Sequence, residues 1–93
     1  MSLTIDLSKP ITVKGKPINT LTLRDLTAVD VLDIGLPMLI VSMDEDALKG
    51  FEFRPKVLAA LISRLACIPI DAVRQMAMND LGKCQKYIHG FLF

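Results

Sequence analysis

KPITVKGKPINTLTLRDLTAVD, residues 9–30, holds three local signals in a fixed order: a hairpin, a strand ending in charge, and a capped helix. Lys14-Gly15 stands between Ile11/Val13 and Ile18, and Gly15 at the second loop position accepts the positive φ of a two-residue type I′ turn. Leu21-Thr22-Leu23 alternates as a half-buried strand does. Thr27 and Asp30 have the spacing of an N-cap hydroxyl and an acidic N3 residue, a variant of the capping box, with Leu26 and Val31 placed as its hydrophobic staple.

Toward the N-terminus, Leu3, Ile5, Leu7, Ile11 and Val13 are all odd-numbered, so one face of a first strand is apolar, and Pro10 marks an edge or a break. A loop at Lys14-Gly15 sets Ile11 opposite Ile18. Continued without interruption, that register leaves Leu21 and Leu23 opposite Ser8 and Asp6, on the wrong face. A one-residue slip exchanges faces, so a bulge or bend is required near Lys9-Pro10 or Asn19-Thr20, and residues 1–24 are predicted to form a twisted hairpin.

Residues 27–93 read as mainly helical. The helix opened by Thr27 carries Val31, Leu32 and Ile34 and meets Gly35-Leu36-Pro37, a left-handed cap followed by a stop. It is about two turns long, too short to persist without packing. Met38 to Val41 reads as a short extended piece leading into a solvated acidic loop near residues 42–50, around Asp44-Glu45-Asp46. Pro55 suits the first turn of a second helix, in which Leu58, Leu61, Ile62 and Leu65 make one stripe. Asp71 opens a short helix through Met76. Asn79 is placed to cap a last helix striped by Leu81, Cys84, Ile88 and Phe91 or Leu92. The expected fold is a single α+β domain over residues 1–93, a twisted β-hairpin packed on a small bundle of three to four short helices.

At 93 residues the chain is near the lower size limit for one unaided core. Hydrophobic residues make up 52% of it and the mean hydropathy is +0.45, apolar enough to predict an interface with another chain or a homo-oligomer. Eleven basic and ten acidic residues leave a formal charge of +1, which draws the chain to neither nucleic acid nor membrane. The sequence has no run of about 18 apolar residues and no basic region before a hydrophobic signal core, so a cytoplasmic location is expected. Cys67 and Cys84 read as small buried thiols.

No catalytic, cofactor or metal site is predicted. Cys84 and His89 are five residues apart on one predicted helix and face different azimuths. Neither cysteine has the partner spacing of a zinc site. Counting a calcium loop from Asp44 puts Lys49 where glycine is needed and Pro55 where glutamate is needed. Gly15 among Lys9, Lys14 and Lys16 lacks both the phosphate-loop pattern and a following helix. Met38, Met43, Met76 and Met78 are either core filler or, if exposed, adaptable contacts for apolar partners.

The stretch Lys9-Pro10-Ile11, Gly15, Ile18, Leu21-Thr22-Leu23-Arg24 and Thr27-x-x-Asp30 resembles the tail assembly chaperones of Mu-like and P2-like contractile-tailed phages and prophages. Weaker similarity continues in Gly35-Leu36-Pro37, Leu65-Ala66-Cys67-Ile68-Pro69, Asn79-Asp80 and Gly90-Phe91-Leu92-Phe93. Two positions depart: Asp25-Leu26 where an acidic residue followed by proline is more typical, and Cys67 where a helix-ending glycine is expected. The resemblance implies a non-enzymatic protein that binds the tape measure protein and keeps its long apolar helices from aggregating. It further implies delivery for tail tube polymerisation, absence from the mature virion, and in many systems a longer frameshifted version. Candidate contacts are the exposed members among Met38, Leu39, Met76, Met78, Phe91 and Phe93. The alternatives are a nucleic-acid-associated regulator using Lys9, Lys14, Lys16, Arg54 and Lys56, and a structural tail or adaptor subunit.

Overall fold

The computed structural model describes residues 2–43 and 48–92; Asp44-Glu45-Asp46 and Phe93 lie outside them, as do the side chains of 38–43, 48–53 and 92. Strands β1 (Leu3–Val13) and β2 (Lys16–Leu23) pair antiparallel, closed by Lys14 and Gly15 at φ 52° and 79°. Both loop residues take positive φ, as a type I′ turn requires.

Ile11 pairs with Ile18, but Asp6 pairs with Thr20, Ile5 with Leu21 and Leu3 with Leu23. Five steps along β1 are matched by two on β2, so the bulge falls on Leu7 to Pro10. It restores the face: Ile5, Ile11, Leu21 and Leu23 are all buried. They join Leu58, Leu61, Ile62 and Leu65 of α2 (Pro55–Ala66) in one core, with Ile68, Ala72 and Val73 of the following segment and Cys84 and Ile88 of the last helix.

Helix α1 (Ala28–Ile34) ends at Gly35, whose φ of 115° is positive but whose ψ of −178° is extended, so its cap is not the left-handed one expected. Its N–H still reaches the Val31 carbonyl at 2.7 Å. Strands β3 (Met38–Met43) and β4 (Leu48–Phe53) form a second antiparallel hairpin, joined at its base by the Arg54 N–H on the Pro37 carbonyl at 2.7 Å. Of the acidic loop expected near residues 42–50, Ser42-Met43 belong to β3 and Leu48 to Gly50 to β4, and residues 44–47 lie outside the described residues. Register shifts between Ile40 and Met43 break the alternation that would mark these strands in the sequence.

Helix α2 has Pro55 at its start and closes on Cys67 in the left-handed conformation, φ 56° and ψ 44°. The Cys67 and Ile68 N–H groups both reach the Ser63 carbonyl. Cys67 is exposed, contrary to the buried thiol expected, because the chain leaves the helix there; Cys84 is buried. Helix α3 (Ile70–Val73) is shorter than expected, continuing to Met76 only through tight turns. Helix α4 (Met78–Leu92) begins one residue before Asn79, and its first intrahelical bond runs from Leu81 N–H to the Ala77 carbonyl, so Asn79 lies inside the helix and is not its cap.

Candidate functional site

Helix α1 turns its polarity around. Asp30 is its one buried residue, at 1% exposure, whereas Leu32 is 83% and Val29 56% exposed. Val31 and Ile34 are half-buried, so the expected apolar face is only partly packed. The cause lies in the groups that meet Asp30. Its Oδ2 accepts the Thr27 N–H at 2.9 Å and hydroxyl at 3.0 Å, in capping-box geometry, while the Asp30 N–H donates to the Thr27 carbonyl at 3.1 Å.

Arg24, at the end of β2, forks onto both Asp30 oxygens at 2.8 Å. Arg64 of α2 adds its Nε at 2.7 Å to Asp30 Oδ1 and its Nη2 at 3.0 Å to Asp33. The Arg24 guanidinium, with Thr27 as a further donor, outweighs the burial that opposes charge and holds the Asp30 carboxyl well below the usual carboxylate range.

The outward side of α1 and the end of α4 enclose an open groove of about 390 Å³ lined by Leu26, Thr27, Ala28, Val31, Leu32 and Phe91. Phe91 meets Tyr87 edge to face, ring centres 5.1 Å apart. Tyr87 donates its hydroxyl to Asp25 Oδ1 at 2.9 Å, which ties α4 to the segment leading into α1. Five of the six lining residues are apolar and the sixth is a threonine, so the groove can bury apolar side chains and offers no nucleophile and base pair.

The residues named from sequence distribute unevenly. Phe91 lines the groove and is 44% exposed. Met78 is 79% exposed but starts α4, about 20 Å of helix away from Phe91. Met76 is half-buried against the core. Met38 and Leu39 have their backbones in β3, and their side chains, like Phe93, lie outside the described residues. Leu26, Ala28, Val31 and Leu32 were not among the expected contacts: a leucine at the fifth position of an apolar-looking helix reads as core, and only the buried capping carboxylate reverses that.

A second polar junction fixes the other end of α4. The bulge in β1 presents Ser8 to Asp80, which is fully buried in the first turn of α4. Asp80 accepts the Ser8 N–H at 2.9 and 3.1 Å and the Ser8 hydroxyl at 3.0 Å. Burial pushes the Asp80 carboxyl up, yet the Ser8 donors and the Lys9 N–H, helped by Lys83, leave it below its ordinary value. Burial together with the Asp80 charge pushes the Cys84 thiol up to about 11, so that sulfur stays protonated.

Lys14 and Lys16 flank the exposed tip of the first hairpin, Lys9 lies in the bulge and Lys56 at the start of α2; none lines the groove. Among the described residues, no cluster of three His, Cys, Asp or Glu could hold a metal ion, and no helix is long and apolar enough to cross a membrane.

Residues 4–92 match the family model described as "Phage tail assembly chaperone proteins, E, or 41 or 14". No curated protein and no solved structure matches the chain.

Proposed function

This chain belongs to the phage tail assembly chaperone family, and from that premise we propose that it binds the tape measure protein through the α1–α4 groove and keeps it soluble for tail assembly. The observation that carries the choice of surface is Leu32, exposed beside Phe91 on a helix that buries only an aspartate. A client helix would lay the apolar stripe of an amphipathic face against Leu32, Val31 and Phe91. Burying one leucine or phenylalanine side chain yields about 1.5 to 3 kcal/mol, so two or three anchors provide reversible affinity without a covalent step. Reversibility suits a protein that hands its client on and is not retained in the tail.

The encounter takes place in the host cytoplasm, before tube polymerisation. A longer frameshifted form that keeps residues 26–91 would carry the same groove, and a homo-oligomer that used this groove would compete with the client for it. Support for the reading comes from the family, the near-neutral charge and the apolar lining.

Co-expression with the cognate tape measure protein tests it. The soluble yield of that protein should rise and the two should co-purify at high salt, where phosphate-mediated contacts weaken and apolar ones persist. A tape measure protein equally soluble alone, or a complex lost on adding salt, sinks the proposal.

A further inference from the structure

We propose that Arg24 and Arg64, acting through Asp30, are positioning residues for the groove: they clamp α1 to the domain by charge and so leave its apolar side chains outward as the groove wall. The inference rests on the groove assigned above and adds what sets its shape.

Helix α1 has seven residues, and isolated helices shorter than about 12 residues are marginal in water. Short helices are ordinarily held by burying an apolar face. Here Ile34 is only partly buried against the core and no apolar residue of α1 is fully inside; the one residue that is, Asp30, takes a charge-assisted hydrogen-bonded fork from Arg24, just past β2, and an ion pair from Arg64 of α2. Such bonds are about twice as strong as neutral ones, and the Arg24 fork also fixes orientation. The second Arg64 contact, to Asp33 at 3.0 Å, gives α1 a second point of attachment to α2.

Neither arginine lines the groove. Their effect on binding must therefore pass through the placement of α1, with Val31 and Leu32 moving as the part of the wall it forms. An all-apolar attachment would consume those side chains; the charged clamp spares them.

The test uses the whole protein, the neutral dye Nile red as probe, and hydrogen exchange. The amides of Val31 and Gly35 report α1, since they bond to the Thr27 and Val31 carbonyls, and the amide of Ile62 in α2 reports the core. Arg24→Met and Arg64→Met should each speed exchange in α1 at least about tenfold relative to Ile62, a local opening. They should also weaken dye binding by at least about fivefold, the amount of signal belonging to the groove being fixed by Leu32→Glu. Ile11→Val, which lowers global stability away from the clamp, should not speed α1 exchange more than exchange at Ile62.

The proposal is overturned if the methionine variants speed α1 and core exchange alike, or leave dye binding as it was. Should Arg24→Met not fold, Arg24→Lys keeps the charge and loses the fork, and it should fall between wild type and full opening. A lysine variant identical to wild type in both readouts rejects the fork. Because no client enters these measurements, failure of the tape measure protein to bind would remove the proposed function and leave the clamp standing.

Discussion

The backbone N–H of Ser8 lies 2.9 Å from Oδ2 of Asp80, and the Ser8 hydroxyl donates to the same oxygen at 3.0 Å, so one carboxylate joins residues 72 apart in the chain. The bulge that corrects the hairpin register thus also docks the hairpin on α4. Through α4 it reaches Phe91 at the far end.

Asp80→Ala should cost about 1.5 to 3 kcal/mol, the scale of hydrogen bonds to a charged group, because it leaves the Ser8 N–H without its acceptor. Ser8→Ala removes only the hydroxyl arm and should cost about 1 kcal/mol. Urea unfolding midpoints compare the two, and equal losses would mean that the backbone bond contributes nothing.

Acid should weaken the fold through the same kind of group. Asp30 and Asp80 both have folded-state carboxyls held below their ordinary values, so the unfolded chain takes up protons first. The stability they contribute is complete above roughly pH 5 and is lost as pH falls through about 4 and below. Unfolding midpoints measured from pH 7 to pH 2 should decline on the acid side, and Asp30→Asn should make that decline shallower. An unchanged slope in the variant would show that the Arg24 pairing does not persist in solution.

Cys67→Gly should stabilise the domain. A non-glycine residue in the left-handed region costs about 1 to 2 kcal/mol, partly offset by the about 0.5 to 1 kcal/mol of extra freedom glycine has when unfolded. The expected net gain is about 0.5 to 1 kcal/mol, read from the denaturation midpoint. A loss would mean that the Cys67 thiol, 3.8 Å from the Arg64 carbonyl, contributes more than the strain it accompanies.

Two exposed apolar residues separate the candidate surfaces. Leu32→Glu should abolish co-purification with the tape measure protein while changing stability by less than about 0.5 kcal/mol, as is usual at the surface. Met78→Glu, at the opposite end of α4, should leave the complex intact. The reverse result would move the client from the groove to the start of α4.

Local chemistry made much of the fold readable. Lys14-Gly15 fixed the turn, the apolar parity of β1 against β2 demanded a bulge, and Leu58, Leu61, Ile62 and Leu65 were recognisable as one buried face. Non-local partners were not readable. Nothing near Asp80 in sequence announces Ser8, and nothing near Asp30 announces Arg64. For the same reason Asn79 looked like the cap when its neighbour Asp80 was taken up by a distant strand, and Leu32 looked like core when α1 was anchored by charge. The β3–β4 hairpin escaped because its irregular register leaves no clean two-residue period.

The reversed polarity of α1 has a consequence for how substitutions are tolerated along it. In a library randomised over residues 28–34 and sorted only for folded protein, position 30 should accept almost nothing but aspartate, while positions 29 and 32 should admit polar residues freely. Sorting the same library for phage production should instead restrict position 32 to large apolar residues. Most helices confound the two demands, because the side chains that hold them down are also the ones that make them apolar. In α1 the demands fall on different residues two positions apart, so survival of the fold and survival of the phage can be scored separately within a single heptapeptide.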